Sequence, residues 1–224
     1  MARREPLNRQ RVLDAALELA DREGLEGLSM RRLAKTLGVE AMSLYNHVSN
    51  KADLIDGIVE RVFEQVEPPD RALPWPEQVR TTALNMHRIF GRHPVVPLAL
   101  ATDRSNPTSP QVMRALDGLV GALFDAGFDE LGAWRALGAI NGLLFGALLL
   151  STGGFTGAPG VHAGEEQVGV YIRRLDPARL PHFSRLLHWT TEGGVDPAAD
   201  FEQALDMLIQ GLVETAKSGH PATG

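Results

Sequence analysis

Three observations predict an all-α fold. Apolar residues recur at helical spacing in segment after segment, and no segment sustains the period-two alternation with β-branched enrichment that marks a strand. Asn, Ser or Asp opens most of these segments and Gly or Pro closes them, the punctuation of helix ends. The chain has 224 residues and is 44 % hydrophobic, enough for a real core in one large domain or two small ones.

The first helix is expected to start after Asn8 and end before Gly24, with Val12, Ala15, Ala16, Leu19 and Ala20 on one face. Ser29 caps a second helix, in which Leu33, Ala34 and Leu37 form the inward stripe and Arg31, Arg32 and Lys35 lie outside it. Gly38 supplies the turn. A third, short helix from about Glu40 to His47 buries Leu44, with Val39 and Val48 flanking it, and turns Ala41, Met42, Ser43, Tyr45 and Asn46 outward. Asn50 caps a fourth, whose Leu54, Ile58 and Phe63 face inward and which ends before Pro68-Pro69. The tract Glu67 to Pro76 is the expected junction between a domain of residues 1–66 and one of residues 67–224, and its prolines stiffen the connection.

Beyond the junction, a helix from Trp75 to Arg92 carries Val79, Ala83, Met86 and Phe90 on one side, and His93-Pro94 stops it. The apolar stretch Val95 to Ala101 makes one short helix. Ser109 as cap and Pro110 at the first helical position start the next, with Val112, Leu116, Leu119 and Leu123 inward and Gly127 at its end. Asp129 to Ser151 is apolar nearly all round, so it is central or lies at a subunit contact. Gly138, Gly142 and Gly146 recur there at every fourth residue. Each costs about 1 kcal/mol of helix propensity relative to Ala, which suggests a closely approaching partner helix. Gly153 to Gly169 reads as a mobile loop, and Ala178 to Thr190 as a helix. Asp196-Pro197 starts the last helix, with Phe201, Leu205, Leu208 and Leu212 in one stripe and Ala204, Met207 and Ile209 on another side. Two apolar faces exceed what one monomer core needs, so one of them is expected to meet a second copy of the chain.

The formal charge of −6 is unevenly spread: residues 1 to 51 hold 9 Lys and Arg against 7 Asp and Glu, leaving a net −8 for the rest. The acidic remainder argues against phosphate or anionic lipid as its partner. Cysteine is absent, which removes disulfides, thiol nucleophiles and Cys-ligated metals and fits a reducing cytoplasm. The charged first residues lead into no apolar segment of a secretory signal, and the apolar run Leu137 to Leu150 falls short of the about 20 residues that cross a bilayer, so no membrane partner is expected. No Gly-rich phosphate loop, nucleophile elbow or zinc motif occurs, so neither catalysis nor a metal or other cofactor is expected.

The second and third segments, joined across Gly38, have the pattern of a helix-turn-helix, which an ordinary helical hairpin shares on spacing alone. The longer run decides between them. Glu26-Gly27-Leu28-Ser29-Met30-Arg31-Arg32-Leu33-Ala34, then Leu37-Gly38-Val39, Leu44-Tyr45-Asn46-His47-Val48 and Asn50-Lys51 resemble the DNA-binding domain of the TetR family of regulators. The resemblance covers about Arg9 to Phe63. Phe201-Glu202-Gln203-Ala204-Leu205 through Gly211-Leu212 resembles the last helix of the tetracycline-repressor-like C-terminal domain. It implies an N-terminal three-helix helix-turn-helix domain followed by a larger helical effector-binding and dimerisation domain. The expected function is a homodimeric transcriptional regulator, a repressor released from a palindromic double-stranded operator by a small apolar effector. The rival reading is an architectural DNA binder with no effector.

Arg31 can bond bidentately to a guanine edge, Ala41 and Met42 can touch thymine methyls, and Ser43 and Asn46 can reach base edges. Tyr45, His47 and Lys51 are placed to hold phosphates. For the effector, Met86, Phe90, Leu100, Leu116, Trp134, Asn141, Phe145 and Trp189 are the candidate walls, with His87, Arg104 and His188 as polar handles. Thr82 and Met86 occupy the positions where the family member that holds magnesium-tetracycline offers Asn and Phe. No His falls within Pro94 to Arg104 to take the metal.

Overall fold

The computed structural model describes residues 6–102, 104–105, 109–153, 176–191 and 196–218, and every regular element among them is helical. In order these are α1 (Arg9–Gly27), α2 (Met30–Leu37), α3 (Ala41–Leu44), α4 (Lys51–Phe63), α5 (Trp75–Arg92), α6 (Val95–Ala101), α7 (Pro110–Asp125), α8 (Glu130–Gly153), α9 (Pro181–Thr191) and α10 (Pro197–Ser218).

The starts are set by the side chains the sequence offers. Asn8 Oδ1 accepts from the Arg11 amide at 2.8 Å, Ser29 Oγ from that of Arg32 at 3.3 Å, and Asn50 Oδ1 from that of Asp53 at 2.9 Å. Each satisfies one of the amides a helix leaves unpaired at its N-terminus. The first helix breaks at Gly24, which has φ 73°, before one last turn to Gly27. Gly38 closes α2 in the left-handed region, φ 65° and ψ 40°, a conformation glycine adopts without a Cβ penalty.

Three expected boundaries move. The third helix is a single turn, because Tyr45 and His47 donate to Met42 and Leu44, three residues back, and so tighten the chain out of α-helix. The ninth starts at Pro181 rather than near Ala178, since the Asp176 side chain and carbonyl take the amides of Ala178 and Arg179 in a turn. The eighth runs 24 residues, and its part Glu130–Leu149 is long and apolar enough to cross a bilayer, unlike the shorter run Leu137 to Leu150 that the sequence marks as apolar. The helix nonetheless buries one side, at Ala133, Ala136, Ile140, Leu144 and Leu148, and packs with α10. The Gly-rich stretch expected as a loop lies outside the described residues from 154 onward.

By packing, the molecule forms two compact units, Met1–Asp125 and Ala126–Gly224. In the first unit α6 packs on both α1 and α4, and α7 packs on α4 and α5. Phe63 of α4 meets Phe90 of α5 edge to face, with centroids 5.0 Å apart. The second unit is organised on the packing of α8 with α10, through Phe201, Leu205, Ile209 and Leu212.

Candidate nucleic-acid interface

The reader is a short surface held from beneath. Leu33, Ala34, Leu44 and Val48 are buried on the core side of α2 and α3, at 0–4 % exposure. Burying these leaves Arg31, Met42, Tyr45 and Asn46 exposed, with Ala41, Ser43 and His47 half-buried between them. Met42 is 73 % exposed. The expected base-reading residues are thus exposed or half-buried on the two helices that flank the turn at Gly38. Lys51 is exposed at the start of α4, and its ammonium donates to the Leu25 carbonyl at 3.0 Å. Two of its three protons remain for another acceptor.

The reader has support that spacing did not disclose. Arg9 Nη1 donates to the His47 carbonyl at 2.8 Å, and Nη2 to Asp53 Oδ1 at 2.8 Å. Asp53 Oδ2 accepts the Ser49 amide at 2.7 Å. The Arg9 hydrogen bond holds the Asp53 carboxyl below its ordinary value, and the same bond raises the Arg9 pKa. Asp53 stands three residues after the cap Asn50, the spacing of a capping box, and that signal was available in the sequence. Arg9 offered none, being 44 residues away.

A second group of polar ties joins α1 and α4 to the chain around α6. His93 Nδ1 meets Asp21 Oδ2 at 2.7 Å, Arg104 pairs with Glu26, and Ser105 Oγ donates to Asp56 Oδ1 at 2.7 Å. All three carboxylates come from the helices that carry the reader. Burial pushes the Asp21 carboxyl up, against the opposing hydrogen bond from His93, whereas Arg104 holds that of Glu26 down. Arg104, read as an effector handle, thus holds a headpiece carboxylate.

Of the effector set, Thr82, Met86 and Phe90 share the buried face of α5, at 0–2 % exposure, while Leu100 and Leu116 are half-buried. In the second unit Asn141 and Phe145 are half-buried, and Trp134 and Trp189 are 73 % and 53 % exposed. Burial holds the His87 pKa below its ordinary value, so the imidazole is neutral near pH 7. A cavity of about 120 Å³ lies at the end of α4, lined by Phe63, Glu64, Val66, Pro68, Arg114 and Ala115. None of the residues expected at the effector lines it.

Comparison with known proteins gives this arrangement a context. The family model for bacterial regulatory proteins of the tetR family matches residues 12–58, and that for the tetracyclin repressor-like C-terminal domain matches residues 67–216. The tetracycline repressor protein class C of Escherichia coli is 33 % identical over 92 % of the chain and 90 % of its own length. Apo ActR from Streptomyces coelicolor is 28 % identical and superposes with a TM-score of 0.75, over 96 % of this chain and 99 % of that one. ActR in complex with actinorhodin matches with a TM-score of 0.73 at 28 % identity, over 94 % and 99 %.

Proposed function

This chain belongs to the tetR family of bacterial regulatory proteins, and from that premise we propose how its parts work. It is a DNA-binding transcriptional regulator of the effector-responsive kind. Residues 1–66 read the operator and residues 67–224 bind effector and dimerise, a division supported by where the two family matches end and begin. We read it as a regulator rather than an enzyme, working in the cytoplasm where the DNA is, and its membership of a family of transcriptional regulators supports that reading.

The observation that carries the DNA reading is the exposed set Arg31, Met42, Tyr45 and Asn46 on two helices, capped at Ser29 and turned at Gly38. A helix-turn-helix dimer reads two half-sites about 34–36 Å apart, so the operator is a palindrome with half-sites one turn apart. Arg31, Ala41, Met42, Ser43 and Asn46 take base edges; Tyr45, His47 and Lys51 take phosphates. The effector is a small, largely apolar molecule. Its candidate contacts are Thr82, Met86, Phe90, Leu100, Arg104 and Leu116 in the first unit and Trp134, Asn141, Phe145 and Trp189 in the second, and the complex of ActR with actinorhodin supports a small-molecule effector. Because no His stands within Pro94 to Arg104, magnesium-tetracycline is not the ligand we expect.

The test separates reading from gripping. Arg31→Ala should cost roughly 1–3 kcal/mol on a duplex selected by the wild-type protein and relax preference at one base position per half-site. Lys51→Ala should weaken selected and shuffled duplexes alike and flatten the slope of log K against log salt by about 0.9 per lost contact. Equal losses on both duplexes for Arg31→Ala, with an unchanged slope for Lys51→Ala, would reverse the assignment.

A further inference from the structure

The third helix is one turn long and has no side-chain cap at Glu40, so it cannot hold its own geometry in water. Burial of Leu44 and Val48 fixes its depth. Its rotation and register need a directional tie, and that tie is made at its exit. There the His47 carbonyl accepts from Arg9 Nη1, while the other arm of the same guanidinium grips Asp53. Asp53 in turn takes the Ser49 amide, and its own amide donates to Asn50 Oδ1. One planar cation therefore connects the start of α1, the turn that leaves the reader helix and the first turn of α4. Gly57 of α4 lies beside it: a Cβ there would touch Arg9 Nη2 at 3.4 Å, an ordinary contact, and would crowd Leu13 Cδ2 of α1 at 2.5 Å.

We propose that Arg9 is a positioning residue for base reading: its fork between the His47 carbonyl and Asp53 sets the register of Met42, Tyr45 and Asn46 without itself touching DNA. The proposal rests on the operator reading above and adds to it a residue outside the helix-turn-helix. The charge of Arg9 is already matched by Asp53, so the pair contributes no net cation to the phosphates. Its loss falls on base-edge hydrogen bonds, whose angular demands are strict, and spares phosphate contacts made by long flexible side chains. Lysine cannot replace it, because a single ammonium lacks the rigid fork that serves a carbonyl and a carboxylate together.

The experiment uses the full chain, a duplex recovered by the wild type from a randomised pool, and a shuffled duplex of equal length. Arg9→Ala should bind the selected duplex at least tenfold more weakly and the shuffled duplex within twofold of wild type, with the salt slope unchanged. Arg9→Lys should behave the same way. Asp53→Asn keeps the side-chain shape and removes the carboxylate, and it should reproduce the selective loss, which covers the case in which Arg9→Ala fails to fold. Equal loss on both duplexes with a slope flattened by about 0.9 per subunit makes Arg9 a phosphate contact and overturns the proposal. Undiminished selected-duplex binding by Asp53→Asn, or full rescue by Arg9→Lys, overturns it as well. A wild type that recovers no preferred duplex overturns the operator reading, and this proposal with it; that outcome is visible before any variant is made.

Discussion

Arg9 and Asp53 also make a pH-dependent pair whose sign is opposite to that of Asp21. The Asp53 carboxyl, lowered by its bond from Arg9, contributes stability that is fully present above the ordinary value of 3.8 and is lost as pH falls through its lowered pKa. Asp21, raised by burial, costs stability that begins as pH rises past 3.8 and is complete above its raised pKa. Arg9→Ala should therefore lower the thermal midpoint at pH 7, by about 1 kcal/mol or less for a partly exposed pair, which is a few degrees in a chain of this size. The gap to wild type should narrow below pH 3.8, down to what the Arg9 bond to the His47 carbonyl contributes, and thermal melts from pH 7 downward would show it. A gap that persists undiminished in acid would mean the pair is not what Arg9 contributes. None of these pairs was legible beforehand. Caps such as Asn8, Ser29 and Asn50 act within three residues and can be read from spacing, whereas Asp21 and His93 are 72 residues apart and meet only because the chain has folded.

Among the elements, the proline tract, expected from its composition to be a stiff junction, is docked, which composition did not disclose. Its Glu67 amide donates to Asn85 Oδ1 at 3.2 Å, and the buried Gln78 donates to the Leu73 carbonyl at 2.8 Å, so α5 holds it at two points. On its other side Pro69 lies against α7 where Gly118 offers no side chain; a Cβ there would sit 2.5 Å from Pro69 Cδ and 2.8 Å from Cγ. A pyrrolidine ring cannot turn aside as a leucine tip can. Gly118→Ala should thus destabilise by about 1–3 kcal/mol through overpacking, despite the gain in helix propensity, and the urea midpoint would report it. An unchanged or raised midpoint would show that the tract lifts freely off α7. This docking explains why the first compact unit extends to Asp125: composition marks where a chain becomes stiff and polar, while packing decides which side the stiff segment joins.

In the molecule as a whole, the described residues of the second unit include large apolar side chains that remain exposed. One side of α8 is spent on α10, yet Leu131 and Trp134 are 54 % and 73 % exposed, and Met207 of α10 is 73 % exposed. The sequence was right that α8 is apolar on more than one side, but the partner its glycines implied is not found within the described residues. A Cβ added at Gly138, Gly142 or Gly146 would meet nothing within 4 Å. Glycines that cost about 1 kcal/mol each in a helix, with empty space before them, fit a surface shaped for another chain. We propose that a two-fold dimer supplies it, because an isologous contact sets the same patch against itself and closes. We expect Gly142→Leu to separate interface from fold. In the single chain the leucine has room and improves helix propensity, so helix content by circular dichroism should hold; across the dimer it would fill the space the partner needs. Sedimentation equilibrium should find wild type dimeric at micromolar concentration and Gly142→Leu monomeric, with Leu208→Glu acting in the same direction from α10. The monomeric variants should lose the selected duplex far more than a single half-site, since only a dimer holds two readers one turn apart. A monomeric wild type, or a Gly142→Leu dimer as tight as wild type, would remove this face from the interface.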